Sequence, residues 1–167
     1  MEKGILIETI NKNNYNLDFD VDGVGMTWGV SYVRFVIGDK LKFESIEHFF
    51  FSTLKSKGNI TSMLGGGKTW TQRADLTRWA NGLTIESIDD STVVNFIDSS
   101  IREINEHVTN WTEETTINTS TLNLPKTFDQ CWFLRETVDT RHYINSTQIY
   151  LVVSADKYLY IEGHWES

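Results

Sequence analysis

The stretch "STQIYLVVSADKYLYIEGHW", Ser146 to Trp165, decides the fold. It holds two runs rich in β-branched and aromatic residues, separated by a turn at Ala155-Asp156. Such runs on either side of a tight turn predict a β-hairpin. Just upstream, "FDQCWFLRETV" (Phe128 to Val138) has the same character and predicts a third strand. The C-terminal region is therefore read as β.

The N-terminal region reads the same way. "KGILIETI" (Lys3 to Ile10) is a short β-rich run. In "YNLDFDV", Tyr15, Leu17, Phe19 and Val21 alternate with Asn16, Asp18 and Asp20, which predicts a half-buried strand with an acidic wet face. "DGVGMTWG" (Asp22 to Gly29) reads as a Gly-rich turn. "VSYVRFVI" (Val30 to Ile37), Gly38-Asp39 and "KLKFES" (Lys40 to Ser45) read as a second hairpin.

Between these ends the period changes. Ile46, Phe49, Phe50 and Leu54 recur at helical spacing, with Ser45 placed to cap the start and Gly58 to end the helix. Thr69 and Gln72 form a capping-box pattern for a helix through "WTQRADLTRWA" (Trp70 to Ala80), stopped by Asn81-Gly82. A longer helix is expected over about Asp89 to Asn110. Its apolar stripe is Val94, Ile97, Ile101, Ile104 and Val108. The polar, Thr-rich stretch near 112–127 reads as a surface connection. Strands at both ends with helices between predict an α+β fold. Its sheet is mostly antiparallel, built from N- and C-terminal strands, with about three helices from the middle of the chain packed on it. With 167 residues and no internal repeat, residues 1–167 are expected to form one domain.

The glycine stretch "SMLGGGKTWTQ" (Ser62 to Gln72) raises the possibility of a phosphate-binding loop. Such a loop needs G-x-x-x-x-G-K-[ST] after a buried strand. Gly67, Lys68 and Thr69 fit, but the first position is Ser62, and a helix end and polar turn precede it. The Gly65–Gly67 loop is expected to be a linker between helices, leaving anion binding by Lys68 and the following helix N-terminus as an open reading. "DFDVDG" resembles the start of a calcium loop through Asp18, Asp20, Asp22 and Gly23, but Gly29 stands at the twelfth position where a bidentate Glu is required. His48, His107, His142 and His164 show no metal-ligand spacing. The single cysteine, Cys131, lies in an apolar strand and is expected to be buried rather than nucleophilic. Neither a metal nor a cofactor is expected. Glu47-His48 and Arg141-His142 are the pairs that folding could still bring into a hidden active site.

The charge distribution suits a basic protein partner, with simple solubility as the other reading. The net charge is −8, which disfavours nucleic acid and anionic membranes, since both need a basic footprint. Between Ile85 and Ser120, Glu86, Asp89, Asp90, Asp98, Glu103, Glu106, Glu113 and Glu114 face Arg102 alone. Asp18, Asp20 and Asp22 make a second cluster, with carboxylates about 7 Å apart along a strand face. Such clusters steer a basic protein in from solution. Among the six tryptophans, Trp28 follows the Gly-rich turn and is a possible exposed anchor; a carbohydrate platform is the alternative for the loop and terminal ones. The N-terminal segment has too short an apolar run for a signal peptide or a membrane span, so a cytoplasmic protein is expected.

In general character the chain resembles the immunity proteins of bacterial polymorphic toxins, including those of contact-dependent growth inhibition. The resembling features are one acidic domain, the lone Cys131, the absent signal sequence, the β-rich ends and the two acidic clusters. No motif carries the likeness, so no family residue is transferred. The resemblance implies a cytoplasmic antidote that neutralises a cognate basic toxin, often a nuclease, without being an enzyme. The surface expected to carry this is Asp18, Asp20 and Asp22, then Asp98, Glu103 and Glu106, with Trp28. A phage-encoded inhibitor of a bacterial defence protein, or a small unrecognised enzyme, are the rival readings.

Overall fold

The computed structural model describes residues 1–12, 22–28, 31–55, 73–111, 124–136 and 147–164. The elements run α1 (Lys3–Lys12), β1 (Asp22–Trp28), β2 (Ser31–Asp39), a 3-10 turn (Lys40–Lys42), α2 (Ile46–Lys55), α3 (Arg73–Asn81), β3 (Leu83–Ile88), α4 (Asp90–Trp111), β4 (Gln130–Glu136), β5 (Thr147–Val153) and β6 (Lys157–His164). The strands form one six-stranded sheet in the order β1-β2-β6-β5-β4-β3. Each neighbouring pair is antiparallel. The expected α+β class and antiparallel sheet are therefore present.

The C-terminal hairpin is the middle of this sheet. β6 lies between β5 and β2, so strands from the two ends of the chain meet along it. Val153 is opposite Tyr158, and the Ser154 hydroxyl closes the turn by accepting from the Lys157 N–H at 3.1 Å. Both runs of this hairpin read as apolar because the sheet is buried on both faces. On one face Val36, Leu134, Ile149, Leu151, Tyr158 and Tyr160 pack with α1, α2 and α3. On the other, Val33, Phe35, Cys131, Tyr150, Val152, Leu159 and Ile161 pack with Val93, Ile97 and Ile101 of α4. The result is a three-layer arrangement, helices on each side of the sheet.

Several elements depart from the sequence reading. Lys3–Ile10 is not a strand but most of α1. Leu6 and Ile10, one helical turn apart, are fully buried, and the helix packs on α2 and α3. Two of the isoleucines that suggest a strand are here exposed (Ile5) or half-buried (Ile7), and packing overrides the β preference of the run. "DGVGMTWG" is not a turn: Asp22–Trp28 pairs with β2 over seven consecutive residues. The proposed Gly38-Asp39 hairpin is also absent. β2 continues through Asp39, which faces Lys157 of β6, and the chain then enters the 3-10 turn. Asp39 caps that turn, accepting from the Leu41 N–H at 2.9 Å. Gly38 is required for a different reason: a Cβ there would stand 2.6 Å from the Phe49 ring and 2.7 Å from that of Phe43. A strand not foreseen, β3, fills the interval between Gly82 and α4. "YNLDFDV" and the glycine loop lie outside the described residues.

Two of the expected helix boundaries are seen, while the Gly58 stop and the capping box of Thr69 and Gln72 lie outside the described residues. The Ser45 hydroxyl accepts from the His48 N–H at 3.2 Å at the start of α2. Gly82 ends α3, its N–H donating to the Trp79 carbonyl at 2.9 Å. In α4 the stripe is shifted by one position at its start. Val93 is fully buried while Val94 is 43% exposed. Val93→Ala is therefore expected to cost about 2 kcal/mol, from lost burial plus cavity. Val94→Ala should be neutral or slightly stabilising, because alanine is the better helix former. Urea unfolding of the two variants separates them; equal losses would mean that α4 is rotated from the orientation described.

Candidate functional site

The outer side of α4 is the acidic surface that the structure defines best. Asp89 and Asp90 start the helix: the Asp89 carbonyl accepts from the Thr92 N–H, and Asp90 Oδ1 accepts from the Ser91 N–H at 2.8 Å. Carboxylates here suit the positive end of the helix dipole. Burial of Val93, Ile97, Ser100 and Ile101 against the sheet fixes the rotation of the helix. Asp98, Glu103 and Glu106 consequently project into solvent, as expected for the second acidic group. Arg102 is also exposed and stands four residues from both Asp98 and Glu106, so it reduces the local field without cancelling it.

The path of α4 across the sheet follows from its contacts. Near its start, the Asp90 carboxylate acts on Cys131 of β4. Further along, the Phe96 ring lies 4.6 Å from that of Tyr150 on β5 and covers Gly163 on β6, where a Cβ would come within 2.5 Å. The helix also contacts β2 and β1. It thus crosses the sheet from the β4 side toward the β1 edge, carrying Glu103 and Glu106 toward the strand that begins at Asp22. Asp22 and Trp28 are the first and last residues of β1, and only their backbone is described. Asp18 and Asp20 lie outside the described residues, as do Arg141 and His142.

The residues considered for hidden chemistry take structural parts where they are described. Cys131 is buried, and burial, with the Asp90 carboxylate adding to it, pushes its thiol up to about 11. A thiol held so high has almost no thiolate at neutral pH and is a poor nucleophile. Glu47 is buried and accepts from the Glu2 N–H at 3.0 Å, tying the start of α1 to α2. His48 Nδ1 accepts from the Glu44 N–H at 3.3 Å, with its ring edge-on to Phe43. Both groups are engaged in holding α2 in place. Among the described residues no group of three or more His, Cys, Asp or Glu is arranged to hold a metal ion. None of the described helices is long and apolar enough to cross a membrane.

One charged group escaped the sequence reading. Glu162 on β6 is fully buried on the face covered by α1–α3, where it accepts from the Tyr160 hydroxyl at 2.8 Å. It stands directly opposite Arg34 of β2, whose guanidinium has a terminal nitrogen enclosed by protein. This pair sits inside the sheet rather than in an open cleft. No family model matches the chain, and comparison with curated proteins and with solved structures finds no similar one.

Proposed function

We propose that the protein is a cytoplasmic immunity protein, which binds and neutralises a cognate basic toxin by presenting a preformed acidic surface. The observation that carries this reading is that Asp98, Glu103 and Glu106 are all exposed on a long helix whose opposite side is locked into the core. The helix backbone needs no reordering on contact, so the favourable encounter is not offset by lost backbone freedom. Their field draws a cationic protein in and orients it, which raises the association rate more than it raises affinity. If the toxin is a nuclease, the same carboxylates occupy the lysines and arginines that would contact phosphate. The net charge of −8 supports the same direction of attraction at longer range.

The test is charge reversal at positions where the fold should not suffer. Asp98→Lys, Glu103→Lys and Glu106→Lys combined should leave thermal unfolding nearly unchanged, because all three side chains are exposed. The association rate with the cognate basic toxin domain should fall about tenfold or more at low ionic strength. The difference should shrink at about 0.5 M salt, where exposed charges are screened. An association rate unchanged at low salt rules this surface out.

A further inference from the structure

The sheet ends in a strand that is paired on one side only. β3 is the last strand in the order, and its six residues pair with β4 without interruption, from Leu83 opposite Glu136 to Ile88 opposite Cys131. In an antiparallel strand alternate residues turn their N–H and C=O away from the neighbour. Among the described residues no backbone hydrogen bond meets that outer edge. Natural edges are usually blunted by proline, lysine, a bulge or a covering element. "LTIESI" has neither proline nor lysine, its one charged residue, Glu86, is engaged by Arg135 of β4, and its register with β4 contains no bulge. Glu86 and Ser87 are exposed, while Thr84, Ile85 and Ile88 are half-buried.

Charge decides what could add here. Glu86 forms an exposed ion pair with Arg135 at 3.7 Å, and the chain leaves β3 directly into Asp89 and Asp90, both exposed. Two carboxylates therefore remain in excess at the end of the edge. A second copy of this chain pairing antiparallel through β3 would add a strand that carries no basic residue of its own, so it leaves these carboxylates without an opposite charge. An anionic partner fails for the same reason. An extended segment carrying lysine or arginine at alternate positions meets both demands, with main-chain bonds to the edge and opposite charge beside it.

We propose that the outer edge of β3 accepts an extended basic segment of a protein partner as a seventh strand. This rests on the reading of the chain as a binder of a cationic protein, and names the mode by which part of that partner is held. The acids of α4 govern approach, and the β3 edge supplies directional hydrogen bonds that a charge cluster lacks.

The probe is the peptide Lys-Val-Lys-Thr-Lys-Val-Lys-Thr, compared with the same peptide N-methylated at alternate residues along one edge. Methylation keeps every charge and removes main-chain donors. With the full chain, the unmodified peptide is expected to shift the amide NMR signals of Thr84–Ile88 and to slow their hydrogen exchange. The methylated peptide should do so at least tenfold more weakly. Equal effects from both peptides, or shifts confined to α4, would overturn strand addition. That outcome is distinct from failure of the immunity reading, which the association rate of the α4 charge-reversal variant reports separately.

Discussion

Glu162→Ala is expected to destabilise the protein by about 3–5 kcal/mol, the range for removing one partner of a buried charge pair. For a domain of this size that corresponds to a fall in Tm of about 6–20 °C. The prediction follows from position. β6 is an interior strand with partners on both sides, and Glu162 is fully enclosed on it. A carboxylate in such a place is tolerable only with polar company. The Tyr160 hydroxyl donates to it at 2.8 Å, and Arg34 lies opposite across the ladder. Alanine removes the acceptor and leaves the partly enclosed guanidinium without the negative charge that faces it. Glu162→Gln keeps an acceptor for Tyr160 and should cost less. Replacing both members, Arg34→Met with Glu162→Leu, should recover part of the loss, since an apolar pair has no charge to desolvate. Thermal and urea unfolding of the set give the comparison. A Glu162→Ala loss below about 1 kcal/mol, typical of exposed sites, would show that the carboxylate is not held in the described network.

Glu162 also shows where sequence reading stops. In "KYLYIEGHW" it falls in step with Tyr158 and Tyr160, and a glutamate at the end of an alternating run suggests a wet face. Whether that face is wet depends on α1–α3 covering it, which the period of one strand does not encode. The same dependence explains α1. Its first ten residues fit both a β-rich run and a short amphipathic helix, and only the surface offered by α2 and α3 makes Leu6 and Ile10 the buried pair. Features determined locally were legible: the Ser45 cap, the Gly82 stop, the turn after Val153 and the start of α4. Each depends on groups within a few residues. β3 was also legible in principle, because "LTIESI" lies between a helix stop and a helix cap. Its glutamate was counted toward an acidic segment rather than toward a strand. Of the expected binding residues, Asp98, Glu103 and Glu106 could be placed from the helical period, which turns them away from Val93, Ile97 and Ile101. No comparable pattern names a partner, because complementary charge describes a class of surface and not one molecule.

Phe50→Ala should be the most costly apolar truncation among those with clear structural cause, at about 3–5 kcal/mol. Phe50 is fully buried on α2, between two other large rings. Its centroid is 5.9 Å from Trp79 of α3 and 5.9 Å from Tyr160 of β6, the latter nearly parallel at 22°. One ring therefore joins two helices to the central strand. Its removal opens a cavity bounded by all three, and the large neighbouring rings can close it only by moving their own elements. Phe50→Leu, which keeps more of the volume, should lose distinctly less. Tyr160 links this contact to the buried carboxylate, since it stacks on Phe50 and donates to Glu162. Phe50→Ala and Glu162→Ala should consequently be non-additive when combined, with a coupling of about 0.5–3 kcal/mol. The quantity to measure is the double-mutant cycle from urea unfolding, using Val93→Ala on the opposite face as the distant control. Val93 packs in the other core, so its cycle with Phe50→Ala should close within about 0.5 kcal/mol. Strong coupling to Val93 would contradict the division of the sheet into two separately packed faces, and additivity with Glu162 would contradict the link through Tyr160.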